Sequence, residues 1–249
     1  PAAPARRSSR TWESGRASAF QFRWHRRTAH SARRKAWFES YTEVMQTYAA
    51  FASMQQVEFL CIGTELASLE AYHDKEWDTL VQEVKQVFSG QLVYSFNSFH
   101  KEDEYERWPW AKQLDIIGID EYESLSVSEN PSTEEITAAL SKRISSIKSL
   151  RDYFNKSMIL LEIGARSQKH ALKKPHLWYA EDPIDLDLQK RYYAALCTNI
   201  KEHRFIRGIH PWGHEINKEI PDPLQNDNFT IVGKPAAMEL QRCYKQIAK

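Results

Sequence analysis

The stretch that decides the fold is residues 57–66, which read VEFLCIGTEL. A short apolar run stopped by Gly63 is typical of a strand buried in a parallel sheet. Apolar residues at helical spacing predict one helix before this strand, over 36–55, and another after it, over 74–89. The order helix, strand, helix is typical of an α/β domain.

The same alternation continues to the end of the chain. Further strands are predicted at 92–96, 114–120, 158–164 and 205–210, and further helices at 133–154, 186–203 and 234–248. Ser132 or Thr133, followed by glutamates, resembles a helix N-cap. Such alternation favours a parallel sheet with right-handed crossovers, either a (β/α)₈ barrel or a doubly wound sheet. Because no Gly-rich phosphate loop follows any strand, the nucleotide-binding version is unsupported.

Composition excludes several classes of protein. The chain has 249 residues, of which 42% are apolar and 27% charged, so it can bury a sizeable core. No run approaches the length of a transmembrane helix. The three cysteines, Cys61, Cys197 and Cys243, are too widely spaced for a disulfide scaffold or a zinc ribbon.

The near-neutral net charge hides a strong asymmetry. Ten of the 34 basic residues and one of the 33 acidic residues fall within residues 1–35, so this segment carries +9 and the remainder −8. The basic segment could be a nucleic-acid arm or a transit peptide. Because it follows no packing period, a disordered tail or sequence foreign to the domain is the favoured interpretation. The acidic body, residues 36–249, is a poor candidate for binding nucleic acid.

Two predicted strands end in a glutamate. Glu65 lies just beyond the first strand, and Glu162 ends the fourth. In a barrel, the carboxyl ends of the strands carry the chemistry, so both side chains are expected at one mouth. Two converging carboxyl groups suit glycoside hydrolysis, one as a proton donor and the other as an ionised nucleophile. The alternative for each is a capping or salt-bridge role.

Other strand ends offer partners for this pair. Asn97 follows the second strand and could bind a sugar hydroxyl or orient an acid. Asp120 and Tyr122 follow the third strand, and a tyrosine hydroxyl near a nucleophile favours its ionised form. Trp212 follows the fifth strand and could stack on a sugar. The alternatives are a loop N-cap for Asp120 and core packing for Trp212.

Four further aromatic residues lie in predicted loops on the same face: Trp108, Trp110, Trp178 and Tyr179. Apolar sugar faces pack on such rings, although for each one singly core packing is the favoured interpretation. The histidines form no metal-ligand set, and no Gly-x-Ser-x-Gly elbow indicates a serine hydrolase.

An ordered series of strings resembles glycoside hydrolase family 113, the β-mannanase family. The strings are VEFLCIGTEL at 57–66, LVYSFN at 92–97, LDIIGIDEY at 114–122, LEIGARS at 161–167, RGIHPW at 207–212 and FTIVGKPA at 229–236. The resemblance covers about residues 36–248. It implies an α/β fold of the (β/α)₈ TIM-barrel type, present only in part, with the five predicted strands as strands four to eight.

The resemblance also implies roles for the two glutamates. Glu65 would be the acid/base and Glu162 the nucleophile of a retaining endo-β-mannanase that cleaves β-1,4-mannosidic bonds in mannan-type chains. Asn97, Asp120, Tyr122, Trp178 and Trp212 would bind substrate. The family's mechanism implies a carboxyl separation of about 5–5.5 Å. It implies no metal and no organic cofactor. Neither a nucleic acid nor a membrane is expected as a partner, because the body is acidic and no apolar run is long enough to span a bilayer. The substrate class favours secretion.

Two features depart from the pattern. Thr64 stands where many relatives in the wider superfamily carry Asn before the acid/base. Residues 1–35 are too few to supply three β/α units, each of which needs about 25–30 residues. Two hypotheses therefore compete with the enzyme: a catalytically inactive, carbohydrate-binding remnant of such a barrel, and an unrelated α/β domain whose basic arm binds nucleic acid.

Overall fold

The computed structural model describes residues 27–71, 73–98, 104–179, 181–213 and 222–247. Most of the basic segment, on which the nucleic-acid hypothesis depends, lies outside these ranges. None of the described helices combines the length and apolar character that crossing a membrane requires.

Five parallel strands form one sheet in the order of the chain. They are β1 (Phe59–Thr64), β2 (Gln91–Asn97), β3 (Ile116–Glu121), β4 (Ser157–Ile163) and β5 (Ile206–Pro211). Each strand pairs in parallel with the next. All five carboxyl ends therefore lie along one edge of the sheet, and the predicted fold class is confirmed.

Helices connect the strands and cover one face of the sheet. They are α1 (Arg27–Met54), α2 (Ala67–Glu70), α3 (Asp74–Val87), α4 (Thr133–Phe154), α5 (Leu186–Glu202) and α6 (Pro235–Ile247), with short 3₁₀ helices at Glu104–Arg107, Pro109–Gln113, Ala171–Lys173 and Pro223–Gln225. Helix α1 begins at Arg27, within the basic segment and before the predicted start at residue 36. Sequence periodicity missed this first part of the helix because its side chains are mostly polar.

Local signals explain where the helices begin and end. The Ser132 hydroxyl accepts a hydrogen bond from the Glu135 N–H at 3.2 Å, which confirms the predicted N-cap of α4. Asp185 caps α5 in the same way, through the Leu188 N–H at 2.8 Å. Helix α4 ends at Asn155, whose left-handed backbone stops further helix formation.

The core has two parts because a strand faces opposite ways at alternate residues. The large cluster lies between the sheet and the helices, where Trp77 and Trp110 stack at 4.3 Å. A smaller cluster on the other face contains Val93, Ile116 and Ile159. This second face would be the interior of a closed barrel.

Cys197 on α5 and Cys243 on α6 form a disulfide. Sequence spacing excluded a disulfide scaffold but did not anticipate this single cross-link. The two cysteines are 46 residues apart, and only the packing of α5 against α6 brings them together.

Within the described residues the sheet does not close. Strand β1 pairs only with β2, and β5 pairs only with β4. One face of α1 also exposes the apolar side chains Val44, Tyr48, Phe51 and Met54. The described part of the chain is thus five units of a barrel wall with two free edges.

Candidate functional site

The carboxyl ends of the strands surround an open cleft of about 350 Å³. Both glutamates singled out from the sequence line it, although β1 and β4 are separated by two intervening strands. The residues lining the cleft are Glu65, Asn97, Tyr122, Glu162, His176, Trp178, Trp212 and Phe229. Six of the seven predicted site residues thus line the cleft, including both aromatic candidates for sugar stacking, Trp178 and Trp212.

Glu65 follows β1 in a left-handed backbone conformation, with φ of 50°. This conformation costs a non-glycine residue of order 1 kcal/mol and is found where the surroundings hold it in place. Here the Glu65 N–H donates to the Ser95 carbonyl at 2.9 Å, and Asn97 Nδ2 donates to Glu65 Oε1 at 2.6 Å. Strand β2 therefore fixes both the backbone and the carboxyl group of Glu65.

Glu162 is half-buried on β4. Burial raises the pKa of its carboxyl group, and the negative charge of Glu65 raises it further. The Tyr122 hydroxyl donates to Glu162 Oε2 at 3.3 Å and lowers that pKa. The net effect raises the pKa of Glu162 above its ordinary value, and the hydrogen bond from Tyr122 limits that rise.

Asp120 lies beneath the cleft instead of lining it. Its side chain is buried, with 1% exposed, and Ser95 Oγ donates to its Oδ1 at 2.5 Å. Burial and the charges of Glu162 and Glu65 raise the pKa of Asp120 to about 7, against the lowering effect of the Ser95 hydrogen bond. The structure therefore does not place Asp120 among the residues that line the cleft.

Comparisons with known proteins show the family and the fold. The model of Glycoside Hydrolase Family 113 matches residues 10–234, which is most of the chain. The chain belongs to glycoside hydrolase family 113. The family match extends into the basic segment, and no curated protein matches the chain.

Solved structures of family 113 share the fold. The structure of a complex of a GH113 β-1,4-mannanase superposes on this chain with a TM-score of 0.71 at 21% sequence identity. The superposition covers 84% of this chain and 62% of that one. The GH113 β-mannanase from Alicyclobacillus acidocaldarius, in complex with ManMIm, gives 0.71 at 21% identity and covers 85% and 63%. A β-glucuronidase from Bifidobacterium dentium, complexed with coumarin-3-O-glucuronide, gives 0.58 at 14% identity and covers 83% and 33%. The chain thus spans under two thirds of the length of its family 113 neighbours.

The aromatic residues of this family 113 chain divide into two groups. Trp178 is 70% exposed and Trp212 is 40% exposed, and both line the cleft. Trp108 and Trp110 are buried, so the alternative that they stack on sugar is wrong. Trp108 stacks on Phe96 at 4.4 Å, a contact that a loop sequence alone cannot reveal.

The long loop after β4 is fixed by a polar network. Arg166 donates to the Trp178 carbonyl, and to Asp227 at 3.1 Å. Nearby, the buried Lys234 Nζ donates to Ser167 Oγ at 2.8 Å. Burial lowers the pKa of Lys234 to about 8. This network holds the backbone that presents Trp178 to the cleft.

A second polar network lies behind β2 and β3. Arg143 on α4 pairs with the buried Glu121 at 3.0 Å and donates to the Ser98 carbonyl at 2.7 Å. Ser98 follows Asn97, and Glu121 precedes Tyr122. One arginine therefore fixes the strand ends that carry the hydrogen-bond partners of both glutamates.

Sequence analysis missed two cleft residues, His176 and Phe229. His176 lies two positions before Trp178 in a loop with no regular pattern, so only its nearness to Trp178 pointed to it. Phe229 begins the string 229–236 that resembles the family, and its ring packs on Trp212 at 4.9 Å. Within the described ranges, no cluster of three His, Cys, Asp or Glu residues could hold a metal ion.

Proposed function

We propose that this chain carries the catalytic carboxyl pair of a retaining β-1,4-mannanase, an endo-acting enzyme that uses neither metal nor organic cofactor. The observation that supports this most is that Glu65 and Glu162 line one cleft and act electrostatically on each other. Family membership and the mannanase neighbours support mannan as the substrate class.

The reaction would proceed in two displacements. Glu162 attacks the anomeric carbon and forms a glycosyl ester, while Glu65 gives its proton to the departing glycosidic oxygen. In the second step Glu65 removes a proton from water, whose oxygen attacks the anomeric carbon and breaks the bond to Glu162. This geometry requires the two carboxyl groups to lie about 5–5.5 Å apart when substrate is bound.

The neighbouring residues suit this division of roles. Tyr122 donates to Glu162 and favours the ionised form that attacks. Asn97 donates to Glu65 and orients it toward the leaving group. Trp178 and Trp212 offer exposed rings on which the apolar faces of two sugars can pack.

Hydrolysis of manno-oligosaccharides tests this proposal. We expect Glu162→Ala to abolish turnover of all substrates. Glu65→Ala should keep turnover of aryl mannosides whose good leaving groups need no protonation, and lose turnover of natural chains. Glu58→Gln is the matched control, since Glu58 is exposed at the opposite end of the same strand. Hydrolysis that survives Glu162→Ala would disprove the assignment of the nucleophile.

The open sheet supports a second candidate, an inactive carbohydrate-binding remnant. Within the described residues, the edges of β1 and β5 lack partners, and an incomplete wall leaves one side of the cleft unsupported. If the chain is such a remnant, calorimetry should detect binding of manno-oligosaccharides, Trp178→Ala should weaken that binding, and no reducing sugar should be released. A nucleic-acid role would instead require salt-sensitive DNA or RNA binding that is lost when residues 1–35 are removed.

A further inference from the structure

Asp120 is a buried acid with an unusual lack of partners. Its Oδ1 accepts the Ser95 hydrogen bond, while its Oδ2 is buried without a hydrogen-bond partner. Buried polar atoms are almost always paired, and an ionised carboxylate placed in such a site is especially costly. The carboxyl group is therefore built to be neutral under ordinary conditions.

The groups around Asp120 strengthen this conclusion. From β1 it faces Glu65 and Cys61, from β4 it faces Glu162, and Tyr122 lies beside it on its own strand. Strand β2 contributes the Ser95 hydroxyl. None of these described groups is cationic. Hydrogen bonds from the Ser95 hydroxyl and the Glu162 backbone favour a charged Asp120, but burial and the charges of the two glutamates outweigh them.

We propose that Asp120 is a positioning residue that stays neutral while Glu162 ionises, so that the floor of the cleft adds no negative charge beside Glu162. This proposal rests on the proposed function and extends it to the pH range of the same site. Electrostatic coupling is reciprocal: the negative charge of Glu162 raises the pKa of Asp120, and a negative charge on Asp120 would raise the pKa of Glu162 by the same amount. The burial of Asp120 and its pKa of about 7 place its ionisation near neutral pH.

Carboxyl titration followed by ¹³C NMR tests the charge state without any need for activity. The Asp120 signal is assigned by its loss in Asp120→Asn, and in the wild-type chain it should titrate near pH 7. Glu162→Gln should make Asp120 bind its proton about tenfold more weakly, because a neighbouring negative charge is removed. Glu202→Gln, exposed at the far end of α5, is the control and should leave the titration unchanged. Titration of Asp120 below about pH 5 in the wild-type chain would overturn the proposal.

Ser95→Ala provides a second variant should Asp120→Asn fail to fold. The Ser95 hydroxyl lowers the pKa of Asp120, so its removal should move the titration of Asp120 to higher pH. A titration that moves to lower pH, or stays in place, would contradict the proposed environment of the carboxyl group.

The pH profile of kcat/KM for manno-oligosaccharides tests the catalytic consequence. Asp120→Asn should leave the acid limb at the same pH, since Asp120 is already neutral there. If Asp120 were ionised in the wild-type chain, its removal would lower the pKa of Glu162 and move the acid limb of the variant to lower pH. That result would refute the proposal. If the wild-type chain shows the expected titration and no hydrolysis, the proposed function fails while the charge state of Asp120 stands.

Discussion

Removal of the Tyr122 hydroxyl by Tyr122→Phe tests how Glu162 is kept ionised. A hydrogen bond to a charged group contributes about 1.5–3 kcal/mol. The bond from Tyr122 to Glu162 is long, at 3.3 Å, and its acceptor is only half-buried. Solvent screening therefore reduces the expected loss to about 1 kcal/mol, which corresponds to roughly a fivefold lower kcat/KM.

The pH dependence of this variant has a definite sign. The Tyr122 hydroxyl lowers the pKa of Glu162, so its removal leaves burial and the charge of Glu65 to raise that pKa unopposed. Since Glu162 must be ionised to attack, the acid limb of the kcat/KM profile should move to higher pH.

Initial rates on a manno-oligosaccharide between about pH 4 and 8 provide the assay. Tyr48→Phe is the matched control, because Tyr48 is exposed on α1 and the cleft does not include it. An acid limb that stays in place, or moves to lower pH, would show that Tyr122 does not act on the charge of the nucleophile.

Three further predictions concern the scaffold and the rim. Replacing Cys197 and Cys243 by serine should lower the free energy of unfolding by about 4 kcal/mol, the loop-closure value for a 46-residue separation, as measured by denaturant titration under non-reducing conditions. Arg143→Met should cost about 3–5 kcal/mol in the same measurement, because it leaves the buried carboxylate of Glu121 without its cation. Trp178→Ala should raise KM several-fold with kcat and the unfolding midpoint nearly unchanged, since the ring is 70% exposed; an unchanged KM would remove Trp178 from the binding surface.

The strands and their order could be predicted from the sequence because each apolar run is short and ends at a clear signal. The run ending at Gly63 forms β1 over Phe59–Thr64, two residues later than expected. Since parallel strands place their carboxyl ends together, the convergence of Glu65 and Glu162 followed from the order of the strands alone.

The depth of each side chain could not be predicted in the same way. Asp120 and Tyr122 follow the same apolar run, yet one is buried under the cleft and the other lines it. Alternation along a strand places residues two apart on the same face, so it does not distinguish Asp120 from Tyr122. Asp120 lies within β3 and Tyr122 just beyond its end, and only the register with β2 and β4 decides how deeply each one lies. Trp108 and Trp178 differ in exposure for a similar reason. Packing against Phe96 buries the indole of Trp108, whereas the indole of Trp178 stays exposed.

Helix α1 and the disulfide show a different limit. The first turns of α1 contain almost no apolar periodicity, so in the sequence they resemble a polar tail. They are helical because they continue into the part of α1 beyond Lys35, which packs against the rest of the domain. The sequence spacing of Cys197 and Cys243 gives no information on whether the two helices that carry them pack together. In both cases the deciding interactions are tertiary.

Strands β1 to β4, rather than closure of a barrel, bring the two glutamates into one cleft. In a flat sheet, with neighbouring strands about 4.8 Å apart, three steps from β1 to β4 would separate them by about 14 Å. A Cβ on Gly118 of β3 would lie 2.6 Å from Leu161 Cδ1 and 2.8 Å from the Tyr94 carbonyl oxygen, so a larger residue there would require β3 or its neighbours to shift. Because β1 to β4 are contiguous in the chain and paired in order, the geometry of the pair is set within residues 59–163. The free edges at β1 and β5 therefore bear on the stability of the wall, while the relation between the two carboxyl groups depends on the strands between them.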